Sequence, residues 1–446
     1  MLKSLIRLIA STFALVALAA CAGSSISSPV LQATQPPPTG ATPPPPSMDT
    51  HFTESGRYID FSQAPAGESV TRVAGVKVFL KGMVYSPTPI GAFPFDSPLK
   101  DSNAAVWSRD LPLMRAMGVN AIHVYNVTPP PYDSGTGPIY QFLNAAWNNG
   151  DHPIYVLMSI FFNGDKLFDQ AAVSALATQY HDLDKKYATY PAVLGTSIGN
   201  EIGAGNFITN PAWWKAFNQL ATAAKQGFKD GGDGDKIVTT SEADGNIGAV
   251  QRGEQYGAAV DAWGINIYRG RTFTNLFDQI RSFTKKPVML TEYGASAAYH
   301  PMTHDKYFYT PNDPNAIAHC ERGGGATNVN DVAELPLSSG SNPNMAGLTD
   351  YVQNTTTLLE QGYAMDGVVS GGFYFEWTDE WWKANQGNAN AHLGNVAFNG
   401  AFPGCNEDQG WYGINAVSKT GGLDALTPRP TLSWLRDTWA KIASIP

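Results

Sequence analysis

Short β-rich apolar runs alternate with longer amphipathic stretches along the chain after residue 58. In the longer stretches apolar residues recur every three or four positions, as at Leu176, Tyr180, Leu183 and Tyr187, so that one helical face can pack on a sheet. This alternation indicates repeated βα units. Eight strands are predicted, at residues 76–85, 121–127, 154–161, 193–199, 237–241, 262–268, 288–292 and 368–375.

A helix is predicted after each of these strands, at residues 107–117, 139–148, 171–187, 212–228, 273–283, 348–361 and 432–442, with a weaker one near 247–256. Eight parallel strands with crossover helices close most economically as a (β/α)8 TIM barrel, which is the predicted α/β fold. A doubly wound open sheet has the same local pattern, and periodicity alone does not separate the two.

Two long insertions interrupt the pattern, at residues 295–346 after the seventh strand and at 382–431 after the eighth. Both follow the carboxyl end of a strand, where an α/β barrel places its active-site loops. We therefore expect the substrate to bind beneath these insertions.

The amino terminus has the pattern of an export signal. Lys3 and Arg7 precede an apolar run, residues 8–20, that is too short for an ordinary membrane-spanning helix. Residues 18–21 read L-A-A-C and resemble the lipobox of bacterial lipoproteins, which implies cleavage before Cys21 and lipidation of its sulfur. The expected location is the cell envelope, with Ala22 favouring the outer membrane. An ordinary secreted protein with an incidental cysteine is the alternative.

The segment after the lipobox is rich in Ser, Thr, Pro and Gly and predicts an extended tether. The predicted organisation is a signal peptide at 1–20, a lipidated linker at 21–57 and one catalytic domain at 58–446. Two cysteines remain, Cys320 in the first insertion and Cys405 in the second. Since an exported compartment is oxidising, we expect one disulfide between them, with two free buried thiols as the alternative.

The composition favours a carbohydrate as the partner. The chain contains 11 Trp, 19 Tyr and 21 Phe, and its net charge of −9 leaves no basic surface for a nucleic acid. It has no G-x-S-x-G, H-E-x-x-H or P-loop motif, and its eight histidines show no ligand-like pairing. Neither a metal nor a cofactor is expected.

Two strand ends carry the predicted chemistry. The fourth strand ends in S-I-G-N-E at residues 197–201 and the seventh in L-T-E-Y-G at 290–294. Either glutamate alone would most often be a solvated loop residue. Together, at facing strand ends, they resemble the acid/base and the nucleophile of the clan A glycoside hydrolases, which implies those roles for Glu201 and Glu292. Two carboxyl groups in such positions can cleave a glycosidic bond with retention of configuration.

Further motifs resemble the fungal β-1,3-glucanosyltransferases of glycoside hydrolase family 72. They are G-M-V-Y-S-P at 82–87, N-A-I-H-V-Y-N-V at 120–127, G-N-E at 199–201, G-x-N-x-Y at 264–268 and E-Y-G at 292–294. The resemblance implies that Asn200 binds the 2-hydroxyl of the sugar and that Tyr268 approaches the nucleophile. It also places Tyr85 and Tyr125 in the substrate site.

One position departs from that family. His123 stands where the family has arginine, and a histidine helps to keep the nucleophile ionised only when it is protonated or hydrogen-bonded to it. His123 is predicted to contact the substrate site, with a barrel-core histidine as the alternative.

The eighth strand and its continuation read G-G-F-Y-F-E-W-T-D-E-W-W at residues 371–382 and resemble barrel glycosidases related to family 2. That resemblance implies that Trp377 forms the floor beneath the sugar, because sugar C–H faces stack on aromatic rings. Glu376, Asp379 and Glu380 form an acidic cluster that could bind hydroxyls or a cation, with a structural role as the default.

The sequence thus predicts a retaining β-glycosidase of an envelope or extracellular β-glycan, with β-1,3-glucan favoured and an oligo- or polysaccharide as substrate. A transglycosylase uses the same two carboxyls, and a non-catalytic glycan-binding lipoprotein is a further alternative.

Overall fold

A curved parallel sheet with helices around it forms the centre of the computed structural model. The structure describes residues 48–65, 75–94, 99–100, 103–134, 138–203, 206–232, 235–243, 248–268, 273, 275–295, 298–299, 333–334, 343–384 and 409–442. Eight strands build the barrel and are numbered in chain order: Leu80–Val84, Ala121–His123, Tyr155–Ser159, Val193–Ser197, Ile237–Thr239 continued by Glu242–Ala243, Trp263–Asn266, Val288–Tyr293 and Gly371–Tyr374.

Strand 5 closes the barrel because its two halves pair on opposite sides. Ile237–Thr239 pairs with strand 4, whereas Glu242–Ala243 pairs with strand 6. Strands 1 to 4 lie side by side in chain order, and strands 8, 7 and 6 complete the circuit from strand 1 back to strand 5. All these pairings are parallel, and every predicted barrel strand is found. The prediction of a (β/α)8 barrel is confirmed.

The helices of the described residues are Ala104–Ala116, Tyr140–Trp147, Gln170–Tyr187, Pro211–Asp230, Gly248–Gln255, Leu276–Phe283, Pro343–Ala364, Trp381–Ala384 and Pro430–Trp439. Gln170–Tyr187 illustrates their construction. Asp169 caps its start by accepting the Ala171 N–H at 2.9 Å. Tyr180, Leu183 and Tyr187 on its predicted apolar face are fully buried, which anchors the helix against the barrel.

The amino-terminal boundary of the folded domain differs from the prediction. Met48–Ser55 is a strand that pairs antiparallel with Tyr58–Pro65, so the predicted linker at 21–57 extends too far. The rings of Phe52 and Phe61 pack 5.0 and 5.4 Å from that of Tyr155, at the start of strand 3. Burial of these rings draws the segment onto the amino-terminal end of the barrel. Val76–Lys77 joins this small sheet, which separates it from strand 1.

Both insertions lie where they were predicted. Strand 7 ends at Tyr293 and the next long helix begins at Pro343, while an antiparallel hairpin, Asn415–Ser418 with Ala425–Pro428, lies in the insertion after strand 8. Cys21, Cys320 and Cys405 lie outside the described residues, so lipidation and the disulfide stay predictions. In the described part of the chain, no helix is long and apolar enough to cross a membrane.

Candidate active site

A cavity of about 520 Å3 opens at the carboxyl ends of the strands. Side chains from the ends of strands 1, 2, 4, 6 and 7 meet in its wall. The cavity brings together most of the predicted site residues, namely Tyr85, Tyr125, Asn200, Glu201, Tyr268 and Glu292. It does not include His123 or Trp377.

Glu292 lies within strand 7 and is only 6% exposed. Its Oε1 accepts the hydroxyl of Tyr125 at 2.6 Å and its Oε2 accepts that of Tyr268 at 2.7 Å. Burial and then the negative charge of Glu201 raise the pKa of Glu292 to about 7. The two hydroxyls and the ammonium of Lys383 oppose that shift, because they stabilise the ionised form.

Glu201 occupies a different environment, just beyond the end of strand 4. Its φ of +53° lies in the left-handed region, and its N–H donates to the carbonyl of Ser241 at 2.6 Å. Its Oε1 accepts the amide of Asn266 at 3.1 Å. Solvent reaches the side chain through the cavity, yet the surrounding protein desolvates the carboxyl and raises its pKa.

The turn that carries Glu201 is fixed by its neighbours. Gly199 has a φ of +68° and donates its N–H to the Tyr180 hydroxyl at 2.8 Å. A Cβ on Gly199 would lie 2.5 Å from the side chain of Ile202, so only glycine fits there. Such strain is characteristic of functional sites, and here it directs the chain so that Glu201 reaches the cavity.

Asn266, a residue that the sequence prediction missed, links Asn200 and Glu201, which follow strand 4. Its Nδ2 donates to Asn200 Oδ1 and to Glu201 Oε1, each at 3.1 Å. Its Oδ1 accepts the Thr291 hydroxyl at 2.7 Å. The sequence contained a signal for this role of Asn266. It precedes Tyr268 by two positions, and residues two apart share one face of a strand.

The structure corrects the prediction for His123, which lies in the barrel core. The side chain is fully buried, its Nδ1 lies 3.4 Å from the carbonyl of Thr291, and its ring packs 4.8 Å from that of Tyr125. Burial lowers the pKa of His123 to about 4. A neutral imidazole cannot supply the positive charge that an arginine would bring to Glu292.

Trp377 does not form the floor of the cavity. It is 1% exposed in the hydrophobic core, and its backbone N–H donates to the carbonyl of Val84 at 3.1 Å. Strand 8 ends at Tyr374. The hydrogen bond between Trp377 and Val84, at the end of strand 1, turns the chain after strand 8 into the core. Phe375 lines the cavity instead, with its ring 6.4 Å from that of Tyr268 and 5.4 Å from that of Tyr412.

The acidic cluster after strand 8 divides into two parts. Asp379 forms a buried bidentate ion pair with Arg429 at 2.8 Å, which is structural. Glu380 and Lys383 both line the cavity and pair at 2.5 Å. Burial disfavours the ammonium of Lys383, but the charges of Glu380 and Glu376 outweigh that effect and raise its pKa. Among the described residues, no group of His, Cys, Asp and Glu is arranged to hold a metal.

No family model matches the chain. The curated relatives that it matches include the 1,3-beta-glucanosyltransferase gas1 of Schizosaccharomyces pombe, 29% identical over 206 residues, which are 44% of this chain and 35% of the relative. A 1,3-beta-glucanosyltransferase of Arthroderma benhamiae is 23% identical over 241 residues, covering 50% of this chain and 42% of the relative. The chain thus spans less than half the length of either, and the predicted likeness to these enzymes is confirmed.

Solved structures share the fold. A GH2 β-galacturonidase from Eisenbergiella tayi, bound to galacturonate, superposes with a TM-score of 0.52 at 13% identity, over 89% of this chain and 55% of that one. A β-D-glucuronidase from Dictyoglomus thermophilum gives 0.53 at 13% identity, over 89% and 54%. At this identity the similarity concerns the fold alone.

Proposed function

We propose that the protein is a retaining β-glycosidase that cleaves β-1,3-glucan, with Glu292 as nucleophile and Glu201 as acid/base. The observation that carries the proposal is that two carboxyl groups, from the ends of strands 4 and 7, open into one cavity and interact electrostatically. The names of the curated relatives support β-1,3-glucan as the substrate class.

The surroundings of the two carboxyls suit this division of labour. Glu292 accepts hydroxyl hydrogens on both oxygens, which favours its ionised form. Glu201 accepts one amide hydrogen on Oε1, which leaves Oε2 to carry a proton. The charge of Glu201 raises the pKa of Glu292, so ionising both groups is disfavoured and the pair retains one proton. We assign that proton to Glu201, because Glu292 accepts two hydroxyl hydrogens and Glu201 accepts only one amide hydrogen.

The reaction then proceeds in two steps. Glu292 attacks the anomeric carbon while Glu201 donates its proton to the departing glycosidic oxygen, which leaves a glycosyl ester on Glu292. Glu201, now a carboxylate, takes a proton from water, whose oxygen bonds to the anomeric carbon as the ester bond breaks. Two displacements return the original anomeric configuration.

Transglycosylation is the second candidate, favoured by the printed names of both curated relatives. In that reaction the hydroxyl of another glucan replaces water in the second step. The same two carboxyls serve both reactions, which differ only in the acceptor.

Incubation with laminaripentaose, followed by mass spectrometry and proton NMR of the first product, tests the proposal. We expect shorter oligosaccharides with the β configuration for hydrolysis, and oligosaccharides longer than five sugars in addition for transglycosylation. Glu201→Gln and Glu292→Gln should each lose about 10⁴-fold or more in rate. Glu54→Gln, at the opposite end of the barrel, is the control.

Inversion of the anomeric configuration, or near-native turnover by either active-site variant, would contradict the mechanism. Binding of laminarin without turnover, unchanged in both variants, would instead identify a glycan-binding protein.

A further inference from the structure

Another glutamate lies buried near the carboxyl ends of the strands and takes no part in the two displacements. Glu242 belongs to strand 5, is 1% exposed and does not line the cavity. Within the described part of the chain, its Oε1 has no hydrogen-bond partner. Because burying a carboxyl group with an unpaired oxygen costs free energy, a carboxyl at this position has a reason other than stability.

The other oxygen of Glu242 holds the chain just after the acid/base. Its Oε2 accepts the N–H of Gly203, two residues beyond Glu201, at 3.1 Å. The approach is close, because a Cβ on Gly203 would collide with that oxygen. A glycine at this position therefore lets the carboxyl reach the backbone, and the hydrogen bond attaches the turn of Glu201 to strand 5.

Strand 5 holds the same turn at a second point. The carbonyl of Ser241, the residue before Glu242, accepts the Glu201 N–H at 2.6 Å. Two consecutive residues thus bind two N–H groups of the turn, those of Glu201 and Gly203. With its φ of +53°, Glu201 has a conformation that a residue with a side chain keeps only where its surroundings impose it. The two hydrogen bonds help to impose it.

The same segment of strand 5 is in register with the residue that binds the Glu201 side chain. Glu242 pairs with Ile265 of strand 6, and the next pair is Ala243 with Asn266. The amide of Asn266 donates to Glu201 Oε1 at 3.1 Å. Strand 5 therefore fixes the backbone of Glu201 and strand 6 fixes its carboxyl, and the pairing of the two strands keeps these supports aligned.

We propose that Glu242 is a positioning residue, whose hydrogen bond to Gly203 keeps the Glu201 carboxyl within reach of the glycosidic oxygen. This inference rests on the proposed function. Without the bond, the buried N–H of Gly203 is left unpaired, and the turn relaxes from its left-handed conformation. Because a proton moves only to an atom within hydrogen-bond reach, a small displacement of Glu201 slows the step that needs its proton.

Dependence on the leaving group tests this role. Laminaripentaose releases a sugar, which needs a proton, whereas the dinitrophenyl β-glycoside of laminaribiose releases a phenolate, which does not. Glu242→Ala should lower kcat/KM by about 10- to 100-fold on laminaripentaose and by less than about threefold on the aryl glycoside. Glu242→Gln should restore the rate on laminaripentaose to within about threefold of the wild type, since its amide oxygen still accepts from Gly203.

Gly203→Ala tests the same bond from its other partner, because the added Cβ displaces the Glu242 carboxyl. It should show the same dependence on the leaving group, and it decides the matter if Glu242→Ala does not fold. Glu254→Ala is the matched control. That glutamate accepts two side-chain hydrogen bonds but lies with Glu54 at the opposite end of the barrel, so its loss should keep the wild-type ratio of the two kcat/KM values.

Equal losses on both substrates in Glu242→Ala overturn the inference, as do wild-type rates in Glu242→Ala or a loss of the same size in Glu242→Gln. Failure of the proposed function is distinguishable from these outcomes. If the wild type turns over neither substrate, crystal structures of Glu242→Ala and Glu242→Gln decide the matter. Loss of the bond between Asn266 and Glu201 in the alanine variant alone keeps the inference, and an unmoved Glu201 in both variants overturns it.

Discussion

The two carboxyl groups of the cavity are built in opposite ways. Glu292 belongs to a strand, is almost completely buried and accepts a phenolic hydroxyl on each oxygen, at 2.6 and 2.7 Å. Glu201 lies in a left-handed turn beyond its strand, faces the solvent in the cavity and accepts one amide hydrogen at 3.1 Å.

The difference follows from what each group must do. A nucleophile has to be fixed on the line of attack and able to ionise. The short hydrogen bonds on both oxygens fix Glu292, and they stabilise its ionised form against the burial that raises its pKa. An acid/base must bind and release a proton in every cycle. Donors on both of its oxygens would hold it permanently ionised, so one oxygen is left to the proton.

The largest effect of breaking this asymmetry is expected from the two tyrosines. Tyr125→Phe and Tyr268→Phe each remove one hydrogen bond to the Glu292 carboxylate, and each should lower kcat/KM on laminaripentaose by about 10- to 100-fold. Tyr256→Phe, on the end of an outer helix, is the matched control. Wild-type rates in both active-site variants would show that the hydroxyls do not prepare the nucleophile.

The next largest effect is expected from Lys383, which brings to Glu292 the positive charge that the neutral His123 does not provide. Lys383 lines the cavity, and its ammonium lowers the pKa of both Glu292 and Glu201. Lys383→Met should therefore move the acidic limb of the kcat/KM profile to higher pH, because Glu292 becomes harder to ionise. At pH 6 we expect a loss of about three- to tenfold.

Two matched variants separate charge from packing at this position. Lys383→Arg keeps the positive charge and should restore the acidic limb, while Lys215→Met removes an exposed lysine elsewhere. A uniform fall in rate across the pH range, with the limb unmoved, would show that Lys383 matters only for packing.

The features of the fold and of the site that could be predicted are those that leave a pattern in nearby residues of the sequence. Strands, helices and the glutamates at strand ends follow from periodicity and short motifs, so the barrel and both carboxyls were predictable. The environment of Trp377 was not, since the chain beyond strand 8 pairs with Val84, almost 300 residues earlier. The packing of Phe52 and Phe61 on Tyr155, at the start of strand 3, is equally non-local. Burial of His123 could not be distinguished by sequence from exposure in the cavity.

A third carboxyl group, that of Glu242, lies beside the turn of Glu201, and its protonation affects the stability of the fold. Glu242, at the end of strand 5, is 1% exposed, and its Oε2 accepts the Gly203 N–H at 3.1 Å. Burial raises the pKa of Glu242 to about 7, and the charge of Glu201 adds to the shift while the Gly203 bond opposes it. The folded protein thus binds this proton more tightly than the unfolded chain does.

The smallest effect is therefore expected in thermal stability rather than catalysis. The contribution of the Glu242 proton is fully present below pH 4.5 and is lost as pH rises through about 7, which corresponds to about 3 kcal/mol at most. Glu242→Gln cannot ionise and still accepts from Gly203. Its Tm by circular dichroism should match the wild type near pH 4.5 and exceed it by a few degrees at pH 8. Asp437→Asn, on the surface, controls for net charge, and a Tm difference that does not vary with pH would show that Glu242 is ionised in the folded protein throughout.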